Sequence, residues 1–264
     1  MSLIDSYDES EEVVKAELLT RGQKRLPKTA IVCFKKELID VVKNKEEFEE
    51  YSKINVCGEE IKIYRTQIDK ESVILYRTLV GGPATTSMME EIHARGVENF
   101  IFFGSCGELI SDMKKGAFII PTEAYRDEGT SYHYMPVSDF VKVKTATRLE
   151  EIFKKKNINY ELTKTWTTDA LYKETRKKIK KRIESGCKVV EMECASIMAV
   201  ANSRNINAYQ FLYSEDTLAG EAWNMRTLRE DRSFILKECL KIATEIVKEI
   251  LCEISQRQNQ NFLQ

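Results

Sequence analysis

The sequence predicts an α/β fold in which a largely parallel sheet carries helices on both faces and a long C-terminal helix packs on the body. Three observations predict it. Short apolar runs alternate with helical patterns from Thr29 onward, the order that builds βαβ units. Asn99–Phe103 is an apolar strand that runs straight into Gly104-Ser105-Cys106-Gly107, the signature of a buried strand ending on a tight turn. Finally, Phe234, Ile235, Cys239, Ile242, Ile246, Ile250 and Ile254 fall on one stripe of the segment Thr227–Ile254, which makes a long amphipathic helix.

The elements follow in order. Thr29–Phe34 reads as a strand and Leu38–Tyr51 as a charged helix; Lys53–Asn55, Ile61–Ile68 and Ser72–Val80 read as a meander of strands. Thr85–Arg95 reads as a helix, because Thr85 and Thr86 can cap it, Met88, Met89 and Ile92 share one side, and Gly96 stops it. Ala117–Ile120 and Asn159–Thr165 are further strands; Val189–Asn202 becomes helical in its later part, and Ala208–Tyr213 is another buried strand. The division expected is a polar N-terminal segment (1–28), a single domain (29–254) and a disordered Gln/Asn-rich tail (255–264).

Composition narrows the function. Hydrophobic residues at 42% with charged residues at 31% of 264 residues support a sizeable core and exclude collagen-like or wholly disordered chains. A net charge of -1 excludes a global field that recruits nucleic acid or an anionic membrane. No apolar stretch reaches the roughly 20 residues that span a bilayer, and Asp5, Asp8, Glu9, Glu11 and Glu12 oppose a signal or transit peptide. A cytoplasmic protein is expected. Seven scattered cysteines without a C-x-x-C pair, beside only two histidines, exclude a zinc site and a disulfide framework, so no metal is expected.

In an open α/β sheet, ligands gather at the carboxyl ends of the strands. There, Gly81-Gly82-Pro83 followed by Thr85 and Thr86 offers backbone N–H groups at a helix start, a seat for an anion or sugar hydroxyl or a turn that binds nothing. Gly104–Gly107 lets a flat ligand approach the backbone. Glu191-Met192-Glu193 either grips vicinal hydroxyls over a soft thioether or merely places acid at a helix N-terminus. Asp216 ends a buried strand beside Glu215: it is either a desolvated general acid, tuned by Arg226 or Arg229 downstream, or a helix N-cap. His93 and His133 read as packing or edge residues, and the basic run Lys173–Arg182 reads as a solvated helix face.

The order of these motifs resembles the nucleoside phosphorylase/nucleosidase family, in the branch of uridine phosphorylase and the hexameric purine nucleoside phosphorylases. Its motifs are Gly-Gly-Pro, Gly-Ser-Cys-Gly-Glu-Leu, Arg126–Tyr134, Glu191-Met192-Glu193 and Ser214-Glu215-Asp216, and the match covers about Thr29–Glu249. The resemblance implies a three-layer αβα sandwich around a twisted mixed sheet. It also implies cleavage of a nucleoside N-glycosidic bond, by inorganic phosphate as co-substrate or in one branch by water, with no other cofactor. The assembly implied is a homo-oligomer, dimer or hexamer. Carried over by position, Met192 and Glu193 bind ribose, Asp216 protonates the base and Arg229 assists it. Cys106 and Gly107, with Leu171 and Tyr172, bind the base, and Gly82 and Ser105 belong to the phosphate or water site. Thr175 and Lys177 stand where uridine phosphorylases keep Gln and Arg, which favours a purine.

The phosphate grip departs from the family's. Phe34-Lys35-Lys36-Glu37-Leu38 replaces Gly-Asp-Pro-x-Arg, and Phe102 and Glu59 replace two further arginines. Lys35, Lys36 or Arg126 can substitute as cations, while Glu37 lies near where nucleosidases carry a base. Phosphorolysis is expected, with hydrolysis second and a non-catalytic nucleoside binder third.

Overall fold

A computed structural model describes residues 2–56, 58–114, 116–226 and 233–262, with side chains as far as residue 256. After a short helix α1 (Ala16–Leu19), strand β1 (Thr29–Cys33) is buried throughout, and its β-branched residues suit a strand packed on both faces. Helix α2 (Lys36–Val42) buries Leu38 and Val42, which its 3.6-residue period stacks on one side. Strands β2 (Glu49–Val56), β3 (Glu59–Ile68) and β4 (Glu71–Arg77) form the expected antiparallel meander. Helix α3 (Gly82–Ala94) leads to β5 (Asn99–Glu108) and β6 (Phe118–Asp127). Then come α4 (Ser131–Tyr134), β7 (Phe140–Lys142), α5 (Ala146–Lys155), β8 (Tyr160–Thr168), α6 (Arg176–Glu184) and β9 (Cys187–Glu191). The chain closes with α7 (Cys194–Arg204), β10 (Asn207–Thr217) and α8 (Ser233–Phe262).

The sheet is mixed. β4, β1, β5 and β10 run parallel, as do β6, β8 and β9, whereas β5–β9 and β6–β10 are antiparallel. Because β10 pairs with both β5 and β6, the strands β5, β10, β6, β8 and β9 close into a ring, and β1, β4, β3 and β2 extend from it as an open wing. Helices flank the sheet in two groups, α1, α3, α4 and α7 in one and α2, α5 and α8 in the other. One core cluster runs from Ile31 and Leu75 through Phe102 and Phe103 to Ile246 and Val247. Among the described residues no helix is long and apolar enough to cross a membrane.

Several expected elements differ. The helix expected over Leu38–Tyr51 stops at Val42, where turn bonds from Lys45 N–H to Val42 O and from Phe48 N–H to Lys45 O reverse the chain. Glu49 and Tyr51 then sit on β2, where Tyr51 lies under the Arg65 guanidinium of β3. Pairing across strands overrides local helical pattern there. Thr85 and Thr86 do not cap α3: it starts at Gly82, with Pro83 in its first turn, and the two hydroxyls donate to Leu79 O and Gly82 O. The end of the N-terminal segment is tied to the body, since Leu26 N–H donates to Arg95 O and Arg95 Nε to Lys24 O. Helix α8 runs past Ser255, where the expected tail begins, to Phe262, in a stretch of Gln and Arg without Gly or Pro to stop it. Of the α8 stripe, Cys239, Ile242, Ile246 and Ile250 are buried, whereas Phe234 is exposed, one residue off the face that 235, 239 and 242 share.

Candidate active site

The parallel strands β1, β5 and β10 all point their carboxyl ends toward one opening. β1 pairs with β5 only as far as Cys33 opposite Phe103, and β9 takes up that same edge at Gly107 and Glu108. Gly104, Ser105 and Cys106 lie in the gap between, and there a cavity of about 460 Å³ opens, within the ~300–1,000 Å³ range of small-molecule sites. It is lined by Phe34 and Lys35 after β1, Val80 before α3, Gly104–Gly107, Leu171, Tyr172 and Glu174. Val190–Glu193 and Gln210, Leu212, Glu215, Asp216, Trp223 and Met225 complete it.

The two carboxyls of interest reach this cavity by different devices. Glu193 is buried at the entry to α7, and one of its oxygens accepts the Gly81 N–H at 2.8 Å, which ties the glycine turn before α3 to the site. Glu191 caps the helix beneath it, accepting the N–H groups of Glu193 and Cys194 at 2.8 and 2.6 Å and the Thr167 hydroxyl at 2.6 Å. Burial raises the pKa of both. Glu191's donors hold charge on Glu191, so Glu193, raised first by burial and then by the neighbouring Glu191 charge, is the one pushed well above the carboxylate range. Asp216 follows a β-bulge: β10 and β5 pair regularly to Ser214–Cys106 and resume at Asp216–Gly107, leaving Glu215 as the extra residue. The bulge sends both Glu215 and Asp216 into the cavity, where strict alternation places neighbours on opposite faces. Burial lifts the Asp216 carboxyl, opposed by the Trp223 indole N–H that donates to it from the returning loop.

Gly107 has no room for a side chain. A Cβ there would lie 2.7 Å from Leu218 and 3.0 Å from an Asp216 oxygen, so the glycine keeps Asp216 accessible. Cys106 is buried, with its thiol on Tyr213 O at 3.6 Å. Burial and the surrounding carboxylates raise its pKa well above the usual thiol range, so it is a neutral lining group and not a nucleophile.

The structure brings Met192, Glu193, Asp216, Cys106, Gly107, Leu171, Tyr172, Ser105 and Lys35 together on this cavity. Among the described residues, it does not bring Arg126, Gly82 or Glu37 there. Arg126 is a correction: its buried guanidinium donates to Ser131 Oγ at 2.8 Å and to the carbonyls of Pro136, Ser138 and Met135, over the Tyr132 ring. Its donors are spent stapling the loop of residues 131–138. Arg126→Ala strands those carbonyls and is expected to lower stability by about 2–4 kcal/mol without changing anion affinity, as read by urea denaturation and calorimetry. Gly82 is the second correction. It is buried against α7, where an added Cβ would lie 2.2 Å from Ser196 Oγ; it lets α3 and α7 pack, and the N–H that faces the site belongs to Gly81. Glu37 is the third: it stands exposed on α2, away from the cavity lining. Arg229 lies outside the described residues. Arg226, the other downstream arginine, donates to Ser214 Oγ at 3.0 Å and to Glu108 at 2.7 Å.

Four lining residues escape sequence reasoning: Glu174, Gln210, Trp223 and the functional side of Glu215. Glu215 is buried and paired with the Lys35 ammonium at 3.2 Å, a partner 180 positions distant. Trp223 carries the one readable signal, an aromatic with a polar tip in a loop of small residues just past Asp216. Glu174 was hidden by the basic run that follows it. Five carboxyl groups (Glu174, Glu191, Glu193, Glu215 and Asp216) and one ammonium (Lys35) line the cavity. Among the described residues no group of three or more His, Cys, Asp or Glu is arranged to hold a metal ion.

Residues 28–252 match the family model described as the phosphorylase superfamily. A guanosine phosphorylase of Halorubrum lacusprofundi is 28% identical over 160 residues, covering 60% of this chain and 66% of that protein, so the match spans just under two thirds of its length. A purine nucleoside phosphorylase of the DeoD type from Bacillus cytotoxicus is 28% identical over 173 residues, 64% of this chain and 72% of that protein. In fold, the chain is similar to a purine nucleoside phosphorylase from Toxoplasma gondii solved with immucillin-H, with a TM-score of 0.70 at 18% identity over 84% of this chain and 90% of that one.

Proposed function

Because this chain belongs to the phosphorylase superfamily, we propose that it cleaves the N-glycosidic bond of a purine nucleoside by phosphorolysis, releasing free base and ribose 1-phosphate. The observation that carries the reading is the convergence of Glu193 and Asp216 on one cavity that also holds Met192, Cys106, Gly107, Leu171 and Tyr172. The similar proteins named above as guanosine and purine nucleoside phosphorylases support the choice of a purine and of phosphate.

The residues divide the work by position. Cleavage develops positive charge on the sugar and negative charge on the departing base, so catalysis needs a proton donor at the base and a firm hold on the sugar. Asp216, its carboxyl lifted by burial, gives its proton to N7 of the base. Glu193 accepts the ribose hydroxyls while Met192 lies against the sugar, which holds the anomeric carbon in line for attack. Leu171 and Tyr172 cover the base. Phosphate approaches from the side of Ser105 and Lys35. Lys35 is the one cation lining the cavity among the described residues, and Glu215 shares it, so phosphate competes for a point charge rather than a guanidinium fork.

The test is incubation of the purified protein with inosine, adenosine, guanosine and uridine, with and without phosphate. The expected result is base release from purine nucleosides only when phosphate is present. Release without phosphate overturns phosphorolysis in favour of hydrolysis, and ligand-dependent thermal stabilisation without turnover overturns the enzyme reading altogether. Assembly as a homo-oligomer, dimer or hexamer, belongs to the same proposal, and light scattering on the same preparation reads it.

A further inference from the structure

We propose that Glu174 selects a 6-aminopurine, accepting a hydrogen bond from the exocyclic amine while Asp216 serves the adjacent N7; the inference rests on the nucleoside reading of the cavity. Glu174 shares the cavity lining with Asp216. Its backbone is held on both sides. A 3-10 turn (Leu171–Lys173) precedes it, and the Thr175 hydroxyl after it accepts the Lys178 N–H at the start of α6. Two residues on, the Arg176 guanidinium donates to Leu218 O at 2.8 Å and to Glu221 O. Those carbonyls belong to the loop that leaves Asp216, so α6 and the Asp216 loop are clamped to each other with Glu174 at the joint.

The carboxylate itself accepts no hydrogen bond among the described residues. Lys178, the cation that acts on it, donates instead to Asp127 at 3.2 Å. An acceptor that is half-buried, clamped in place and without a protein donor is completed by a ligand donor. Burial and then the Asp216 charge push the Glu174 carboxyl up to about 7, against a small opposing pull from Lys178. Above that value Glu174 is a carboxylate, which accepts hydrogen bonds and donates none.

Purine geometry supplies the match. N7 and the substituent on C6 lie on the same edge of the ring system, so a group beside the N7 partner on the six-membered-ring side meets the C6 substituent, and the proposal places Glu174 on that side. A 6-amino group offers that neighbour an N–H, whereas a 6-oxo group offers only lone pairs. The Trp223 N–H, the donor nearest Asp216, is already engaged by it. Gln210 lies six residues earlier on β10 and Lys35 is paired with Glu215, so neither compensates a 6-oxo group at this corner.

Calorimetric titration with adenine and with hypoxanthine, on the wild type and on Glu174→Gln and Glu174→Leu, tests this without requiring turnover or phosphate. The wild type is expected to bind adenine at least ~10-fold more tightly than hypoxanthine. Glu174→Gln, whose amide can donate to O6, is expected to shift that ratio by ~10–100-fold toward hypoxanthine, and Glu174→Leu to lose adenine affinity without gaining hypoxanthine. Glu174→Gln conserves size at a partly exposed position, and circular dichroism checks that its fold is unchanged. Equal affinity for the two bases in the wild type, a ratio unmoved by Glu174→Gln, or binding of neither base overturns the proposal. Adenine preference in a protein that cleaves no nucleoside overturns the phosphorolytic reading and leaves this one standing.

Discussion

Asp216→Asn is expected to lower kcat by about 10²–10⁴-fold for a nucleoside whose base leaves poorly, with little change in KM and none in fold. Asparagine keeps the size of the side chain and can still accept the Trp223 N–H that fixes its orientation; what disappears is the transferable proton. The wild-type carboxyl titrates above its ordinary range because it is buried. The sign of the pH dependence follows. The protonated acid is the working form, so kcat is full below the raised pKa and falls as pH climbs through it. Steady-state kinetics across pH read both effects, and the falling limb assigned to Asp216 is absent from the variant. A variant with an unimpaired kcat for inosine or adenosine removes Asp216 from the chemistry.

Glu193→Gln is expected to lower kcat/KM by ~10²–10³-fold, because with the amide oxygen kept on the Gly81 N–H the group turned to the ribose hydroxyls becomes an NH2 donor in place of an acceptor. The amide oxygen still accepts the Gly81 N–H, so the turn before α3 stays in place and melting is unchanged. The comparison that isolates sugar binding is a 3′-deoxynucleoside: removing one hydroxyl narrows the gap between wild type and variant, since the two changes delete the same interaction. If the penalty of Glu193→Gln is the same for nucleosides with and without that hydroxyl, Glu193 does not hold the sugar. Glu193→Ala is the harsher change. It also strands the buried Gly81 N–H and is expected to cost about 1–3 kcal/mol of stability, which is why the amide is the cleaner test.

How much of this was legible along the chain follows from the range of each interaction. A glycine-rich turn after an apolar strand, an acid at a strand end and a Met-Glu pair at a strand-to-helix junction are short-range patterns. They depend on strand alternation and turn geometry within a few residues, which is why Gly104–Gly107, Met192, Glu193 and Asp216 could be named before any contact was known. The helix over Leu38–Tyr51 failed for the converse reason. Its second half is amphipathic enough for a helix, but the edge of β3 offers Glu49–Val56 a full ladder of partners, and cross-strand pairing outweighs a weak local preference.

The sequence alone therefore determined the alternation of strands and helices, the long terminal helix and the few side chains that end up at the mouths of strands, since all of these are set by neighbours in the chain. Only the tertiary structure decided which of those mouths share a hollow. The bulge that turns Glu215 and Asp216 together, the pairing of Lys35 with Glu215, the placing of Glu174 beside Asp216 and the capture of Arg126 by its own loop join residues far apart in sequence or depend on where a carbonyl points. A guanidinium reads the same in the chain whether it meets a phosphate or three backbone oxygens; packing settles which.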